Sequence, residues 1–175
     1  MRKMILAAIA VSLVALGAQA QNNSENNPKG DVAVGYSLFH LNGARGSGVT
    51  TNGISGSADY NVTSWVGIVW DFGVYHGEPH GVGYTAATYT FGPRLWLHLS
   101  DNQKFLPFAQ VLFGGSHVPG TNPFAFSIGG GTNINIGASR FALRPQLDYF
   151  GLHANGGTIN SERFSIGIVY NIGER

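Results

Sequence analysis

Residues 163–172 read Arg163-Phe164-Ser165-Ile166-Gly167-Ile168-Val169-Tyr170-Asn171-Ile172. One register (Phe164, Ile166, Ile168, Tyr170, Ile172) is wholly apolar, and the other (Arg163, Ser165, Gly167, Val169, Asn171) is polar or small. A strict period of two predicts a β-strand with unlike faces. Working outward from it, the same alternation predicts strands over 31–40, 52–62, 65–75, 84–98, 104–116, 123–136, 140–152 and 161–173. Val66, Ile68, Trp70, Phe72 and Val74 oppose Gly67, Val69, Asp71 and Gly73 in the third. In the seventh, Phe141, Leu143, Pro145, Leu147 and Tyr149 oppose Ala142, Arg144, Gln146 and Asp148.

The continuous register is aliphatic and aromatic, while the opposite one mixes Asp59, Asp71, Arg94, Arg144, Gln146 and Asp148 with glycine and alanine. A soluble barrel or sandwich would bury the oily register and show the charged one to water. Charges that share a register with small residues instead suit a crowded interior. The expectation is an all-β fold: an eight-stranded antiparallel up-and-down transmembrane β-barrel, oily outside and polar inside, as the outer membrane of a Gram-negative-type envelope requires.

Arg2 and Lys3, an apolar run from Met4 to about Gly17, and Ala18-Gln19-Ala20 form the three parts of a secretory signal peptide. The apolar run falls short of the roughly 20 residues that a spanning helix needs. The domain reading is therefore a signal peptide at 1–20, a polar periplasmic lead-in at 21–30 and an outer-membrane barrel at 31–175. The chain has no cysteine, which removes a lipobox thiol and a disulfide framework. Charged residues make up 11%, against about 25% in soluble domains, and glycine is abundant, both suited to a membrane barrel. A net charge of +1 without a basic block argues against a nucleic-acid partner.

Short connections (63–64, 99–103, 137–139) alternate with longer ones (41–51, 76–83, 117–122, 153–160). That asymmetry predicts tight periplasmic turns and longer extracellular loops. Pro107 fits near a strand start, whereas Pro93 and Pro145 fall inside strands and are expected at bulges. Tyr60, Trp65 and Tyr170 near one set of ends, and Tyr84, Phe113, Phe124 and Tyr149 near the other, are expected to form two aromatic girdles.

At Thr90-Phe91-Gly92-Pro93-Arg94, Phe108-Ala109-Gln110-Val111-Leu112-Phe113-Gly114-Gly115-Ser116-His117, Gly129-Gly130-Gly131 and Phe141-Ala142-Leu143-Arg144-Pro145-Gln146-Leu147-Asp148-Tyr149, the chain resembles the small outer-membrane β-barrel domain family of OmpA-type, porin-like, eight-stranded proteins. The likeness runs from about residue 31 to the end. It implies an outer-membrane barrel without enzymatic activity, in contact with outer-membrane lipid and lipopolysaccharide and inserted by the barrel-insertion machinery. Barrels of this family commonly end on an aromatic residue that the machinery reads; here Tyr170 and Ile172 keep the alternation, but Gly173-Glu174-Arg175 follow, a departure from that pattern. No cell-wall-tethering domain is expected after Arg175.

The candidate site is the inward charge set Asp59, Asp71, Arg94, Arg144 and Asp148. Buried charges are tolerated when paired and hydrogen-bonded, and an eight-stranded interior is just wide enough for side chains to fill. Arg144 and Asp148 are expected inside with Asp59, Asp71 and Arg94 among their partners. Two readings stay open, a plug of ion pairs and a narrow path for ions or small solutes. His76-Gly77-Glu78-Pro79-His80 offers ligands at i, i+2 and i+4, but the proline and glycines mark a solvated loop, so no metal is expected and no cofactor is implied. His98-Leu99-Ser100 resembles the His-x-Ser element of outer-membrane lipid A deacylases, a minor lipid-modifying alternative that lacks the following Glu. The reading is a monomer with a structural or surface-interacting role through its extracellular loops, towards a surface ligand that the residues do not name.

Overall fold

Alternation alone cannot close a sheet; closure needs the first and last strands to find each other. In the computed structural model they do. It describes residues 28–42, 48–78, 83–98, 104–154 and 156–173. Eight strands, β1(Gly30–Asn42), β2(Gly48–Asn61), β3(Val66–Gly77), β4(Tyr84–Trp96), β5(Phe105–His117), β6(Phe124–Asn135), β7(Phe141–Ala154) and β8(Gly157–Ile172), form a closed barrel in chain order. β1 pairs antiparallel with both β2 and β8, so no edge strand is left.

The register fixes the tilt. Following partners from Tyr170 through Val32, Ala58, Trp70, Phe91, Phe113, Phe126 and Gly151 leads back to β8 at Asn160, ten residues from the start (170 − 160). With strands about 4.8 Å apart and about 3.3 Å rise per residue, a stagger of ten over eight strands tilts them about 40° from the barrel axis.

Every residue on that path belongs to the outward register. On β8, Ile168 is 58% exposed while Arg163 is fully buried, and the same division runs round the barrel. Tyr60 and Tyr170 at one end, and Phe113, Phe124 and Tyr149 towards the other, are all exposed.

Three expectations need correction. The connections do not alternate between short and long. Between strand bounds they span 43–47, 62–65, 78–83, 97–104, 118–123, 136–140 and 155–156, so 97–104 is the longest and 155–156 the shortest. Segments read as long loops, such as 48–51 and 157–160, continue the ladder as polar strand, for example Thr50 opposite His40 and Thr158 opposite His153. Apolar alternation ends where lipid ends, and the hydrogen-bonded hairpin does not. Second, Pro93 and Pro145 are not at bulges. Pairing with β5 lapses at Gly92 and Pro93, and pairing of β7 with β6 lapses at Arg144 and Pro145, yet the register resumes unchanged on either side. A missing N–H opens the ladder locally without inserting a residue. Third, the barrel starts at Gly30, inside the segment read as lead-in. Pro28 just before it is buried, and its carbonyl accepts a 2.7 Å bond from Asn61 Nδ2. The signal-peptide reading and lead-in residues 21–27 lie outside the described residues, as do residues 43–47 of loop 41–51, Pro79, His80 and Ser100.

Candidate functional site: the barrel interior

The inward register must fill a narrow tube with what the sequence supplies, and it does so in three layers. At the end that carries the termini, Trp96 and Phe108 meet edge to face at 5.4 Å, and Trp96 Nε1 donates to Asn61 Oδ1 at 2.7 Å. At the far end Phe39 stacks on Tyr75 at 4.7 Å and meets Phe150 edge-on at 5.4 Å, with Leu41 packed against them. Gly73 makes room for this cluster, because a Cβ there would run into the Tyr75 ring and hydroxyl.

Between the aromatic layers lie the charges. Arg163 is the hub. Its Nη1 and Nη2 donate to both oxygens of Asp71 at 2.7 and 3.0 Å, its Nε and Nη2 donate to Asp148 Oδ2 at 3.0 and 2.7 Å, and Nη1 also reaches Tyr75 OH at 3.2 Å. The fork is a bidentate arginine–carboxylate pair with a second carboxylate on its flank. The guanidinium also lies 5.0 Å from the Phe150 ring centre, which joins the charged layer to the aromatic one. Arg144 donates to Asp31 Oδ2 at 2.6 Å, to Asn133 Oδ1 at 2.7 Å and to Ser57 Oγ at 3.2 Å. Arg94 sends Nε and Nη2 to Gln110 Oε1 at 3.0 and 2.8 Å and sits 4.2 Å over Phe108. Its Nη1 stands 3.6 Å from Asp59 Oδ2 without a hydrogen bond. Gln110 and Gln146 each donate to Asp148, tying the groups together.

All five residues singled out from the sequence are buried in this layer. Asp71 and Asp148 come together on Arg163, and Arg94 approaches Asp59. Arg144 is not joined to Asp148, Asp59 or Asp71; its carboxylate is Asp31. Asp31 and Arg163 were missed, although a signal for both existed. Arg163 stands in the polar register of the strand quoted first, and Asp31 precedes Val32 in the polar register of β1. Gln110, the link between Arg94 and Asp148, had the same signal. Four carboxylates (Asp31, Asp59, Asp71, Asp148) meet three guanidiniums (Arg94, Arg144, Arg163). Asp59 is the one held by an ion pair alone, with neither oxygen in a hydrogen bond. A small polar cavity bordered by Ser55, Ser57, Asp71, Arg144, Gln146 and Ser165 lies beside the network.

His76 Nε2 lies 3.8 Å from Glu78 Oε1, both well exposed. Among the described residues no group of three or more His, Asp or Glu side chains converges to hold a metal.

A closed eight-stranded wall with a continuous apolar exterior and a charged interior defines a transmembrane β-barrel. The outer membrane protein beta-barrel domain family matches residues 6–171, and the chain belongs to that family. Its fold is similar to that of Neisserial surface protein A (TM-score 0.63, 13% identity, covering 85% of this chain and 100% of that one). It is also similar to Ail, the attachment invasion locus protein of Yersinia pestis (0.55, 13%, 83% and 100%), and to the N-terminal β-barrel domain of Pseudomonas aeruginosa OprF (0.52, 12%, 83% and 100%). No curated protein matches the sequence. The protein is thus an outer-membrane barrel, and these likenesses extend to its fold.

Proposed function

We propose that this barrel is a closed structural element of the outer membrane, with both termini in the periplasm, that acts at the cell surface through its outer hairpins. The observation that carries the reading is the interior: an aromatic layer at each end and a cross-linked charge layer between them. Asp59, Asp71, Arg94, Arg144 and Asp148, with Asp31 and Arg163, serve in it as a plug rather than as a conduit. Two interior hydroxyl groups join the cross-linking, Ser37 with Ser55 at 2.6 Å and Tyr75 with Arg163. Self-closure through β1 and β8 leaves no edge for a second subunit and supports a monomer. Residues 1–20 direct export, the insertion machinery assembles the strands, and outer-membrane lipid, lipopolysaccharide included, wets the apolar face. Ail, a barrel of this fold, has been crystallised with the heparin analogue sucrose octasulfate, so such a wall can present a surface to an external ligand.

A second reading, a narrow ion path, is favoured by the Asp59 oxygens, which lack a hydrogen bond, and the polar cavity. Planar-bilayer recording of refolded protein separates the two. The plugged reading expects no steady conductance from wild type and at most a leak from Arg144→Met. Steady wild-type conductance that turns cation-selective when Arg144 is lost would overturn the plug.

A further inference from the structure

Four histidines stand at corresponding places on the four strands that run away from the termini: His40 on β1, His76 on β3, His117 on β5 and His153 on β7. Each belongs to the outward register, two residues beyond Leu38 or Val74, or four beyond Phe113 or Tyr149. Each holds its Nδ1 against a neutral side chain on the returning half of its own hairpin. His40 meets Thr50 Oγ1 at 2.8 Å, His76 meets Thr85 Oγ1 at 3.2 Å, His153 meets Thr158 Oγ1 at 2.9 Å, and His117 meets Asn122 Oδ1. With Nδ1 occupied in this way, Nε2 is the ring nitrogen left for a further partner; on His40 it lies over Gly48, and on His76 it is 3.8 Å from Glu78 Oε1.

The register also puts them at one level. Thr50 opposite His40 lies two residues from Asn52 opposite His76. Thr85 opposite His76 lies two from Ala87 opposite His117. Asn122, bonded to His117, lies two from Phe124 opposite His153. Thr158 opposite His153 lies four from Glu162 opposite His40. Steps of two, two, two and four use up the stagger of ten, and an even belt would take 2.5 per hairpin. The four imidazoles therefore lie within about 4 Å of one plane, each about 5–10 Å beyond the last apolar side chain on the outward face of its own strand, with Phe124 beside His153 on the next strand. That is headgroup depth. Among the described residues no Lys or Arg stands at this end, while Lys29, Lys104 and Arg140 surround the other.

We infer that the belt is a binding site for phosphate groups of outer-leaflet glycolipid, engaged when the imidazoles are protonated. A protonated ring donates Nδ1–H to its Thr or Asn oxygen and Nε2–H to a phosphate oxygen, so the hairpin partner aims the second donor at the lipid. The neighbours grade the four sites. His40 has Glu162 beside it on β8 and Thr50 on β2, with Leu38 on its own strand; His76 has Glu78 at 3.8 Å, Asn52 on β2 and Thr85 on β4, and Tyr84 pairs with the adjacent Gly77. These carboxylates compete with a phosphate for the two rings. His117 faces Ala87 and Asn122, and His153 faces Phe124 and Thr158, with Tyr149 one step inward; no carboxylate stands among those register neighbours. His117 and His153 carry the larger share of lipid binding.

The inference rests on the proposed orientation, which a tag at exposed Gly120 tests separately: it should be reachable on intact cells, and a tag at Ser64 should not. The belt itself is tested with wild type refolded into phosphatidylcholine vesicles, with or without bisphosphoryl lipid A, or with the dephosphorylated lipid. The readout is the half-time of heat unfolding, scored by the gel mobility of unboiled samples. At a pH of about 5.5 the phosphorylated lipid should slow wild-type unfolding about threefold, and at about 7.5 the gain should largely vanish. The variant H117Q/H153Q should lose most of the gain and H40Q/H76Q less, each folding normally in phosphatidylcholine alone, since all four side chains lie at the rim. A gain that survives all four substitutions, that appears equally with dephosphorylated lipid, or that free inorganic phosphate reproduces would overturn the site. So would the absence of any wild-type gain.

Discussion

The outer face of the wall repeats one device eight times, whereas the inner face never repeats itself. Outside, Ile54, Phe72, Phe91, Leu147 and Ile168 are interchangeable contributions to one apolar belt, each exposed to about half of its surface or more. Inside, each charged group has its own partners: Arg163 with Asp71 and Asp148, Arg144 with Asp31, Arg94 with Gln110. The difference teaches where tolerance lies. A face built from many equal terms degrades gradually, while a face built from unique pairs fails at single positions.

The largest effect should come from the hub. Arg163→Met strands two buried carboxylates at once and is expected to cost about 3–5 kcal/mol, read as a lower urea midpoint of the refolded barrel. Arg144→Met should cost less than that, since it strands Asp31 alone, and adding Asp31→Leu should recover most of the loss, because an apolar pair in place of an ion pair is nearly neutral. Pairing Arg144→Met with a neutralised Asp148 should recover nothing; recovery there would break the pair assignment. Next comes the belt. Ile168→Arg faces lipid in mid-strand and should cost about 2–4 kcal/mol by the same measurement. If that substitution were harmless, the two faces would be reversed. The smallest is Ser37→Ala, which removes one interior hydroxyl bond and leaves Ser55 beside the cavity; about 1 kcal/mol is expected.

The same contrast explains what the sequence made legible. The outer face was readable because periodicity is a sum over many residues: the eight strands, their order and their faces follow from where Phe164, Ile166 and Ile168 recur. Strand ends were not, since the apolar signal stops at the lipid boundary while Thr50, Thr51, Thr158 and Asn160 keep pairing beyond it. Likewise, membership of the interior could be read for Asp59, Asp71, Arg94, Arg144 and Asp148. Their pairing could not, because partners are set by the stagger of ten, and alternation within a strand says nothing of register between strands. Asp31 and Arg163 slipped through for another reason. Each stands at or near the start of its expected strand, where no apolar neighbour on the preceding side marks the position as interior.

The ion pairs also bear on the order of assembly. Arg144 on β7 reaches Asp31 on β1 across 113 positions of chain, and Arg163 on β8 reaches Asp71 on β3 across 92. Neither of these two pairs can form within a single hairpin, or within the first six strands alone. A partly assembled sheet in the bilayer therefore holds aspartates whose arginines have yet to arrive, and long-range closure is the slow kind of contact to make. The seam between β1 and β8 is accordingly a checkpoint in biogenesis: the wall completes all at once or stays in the hands of whatever shelters its unpaired charges.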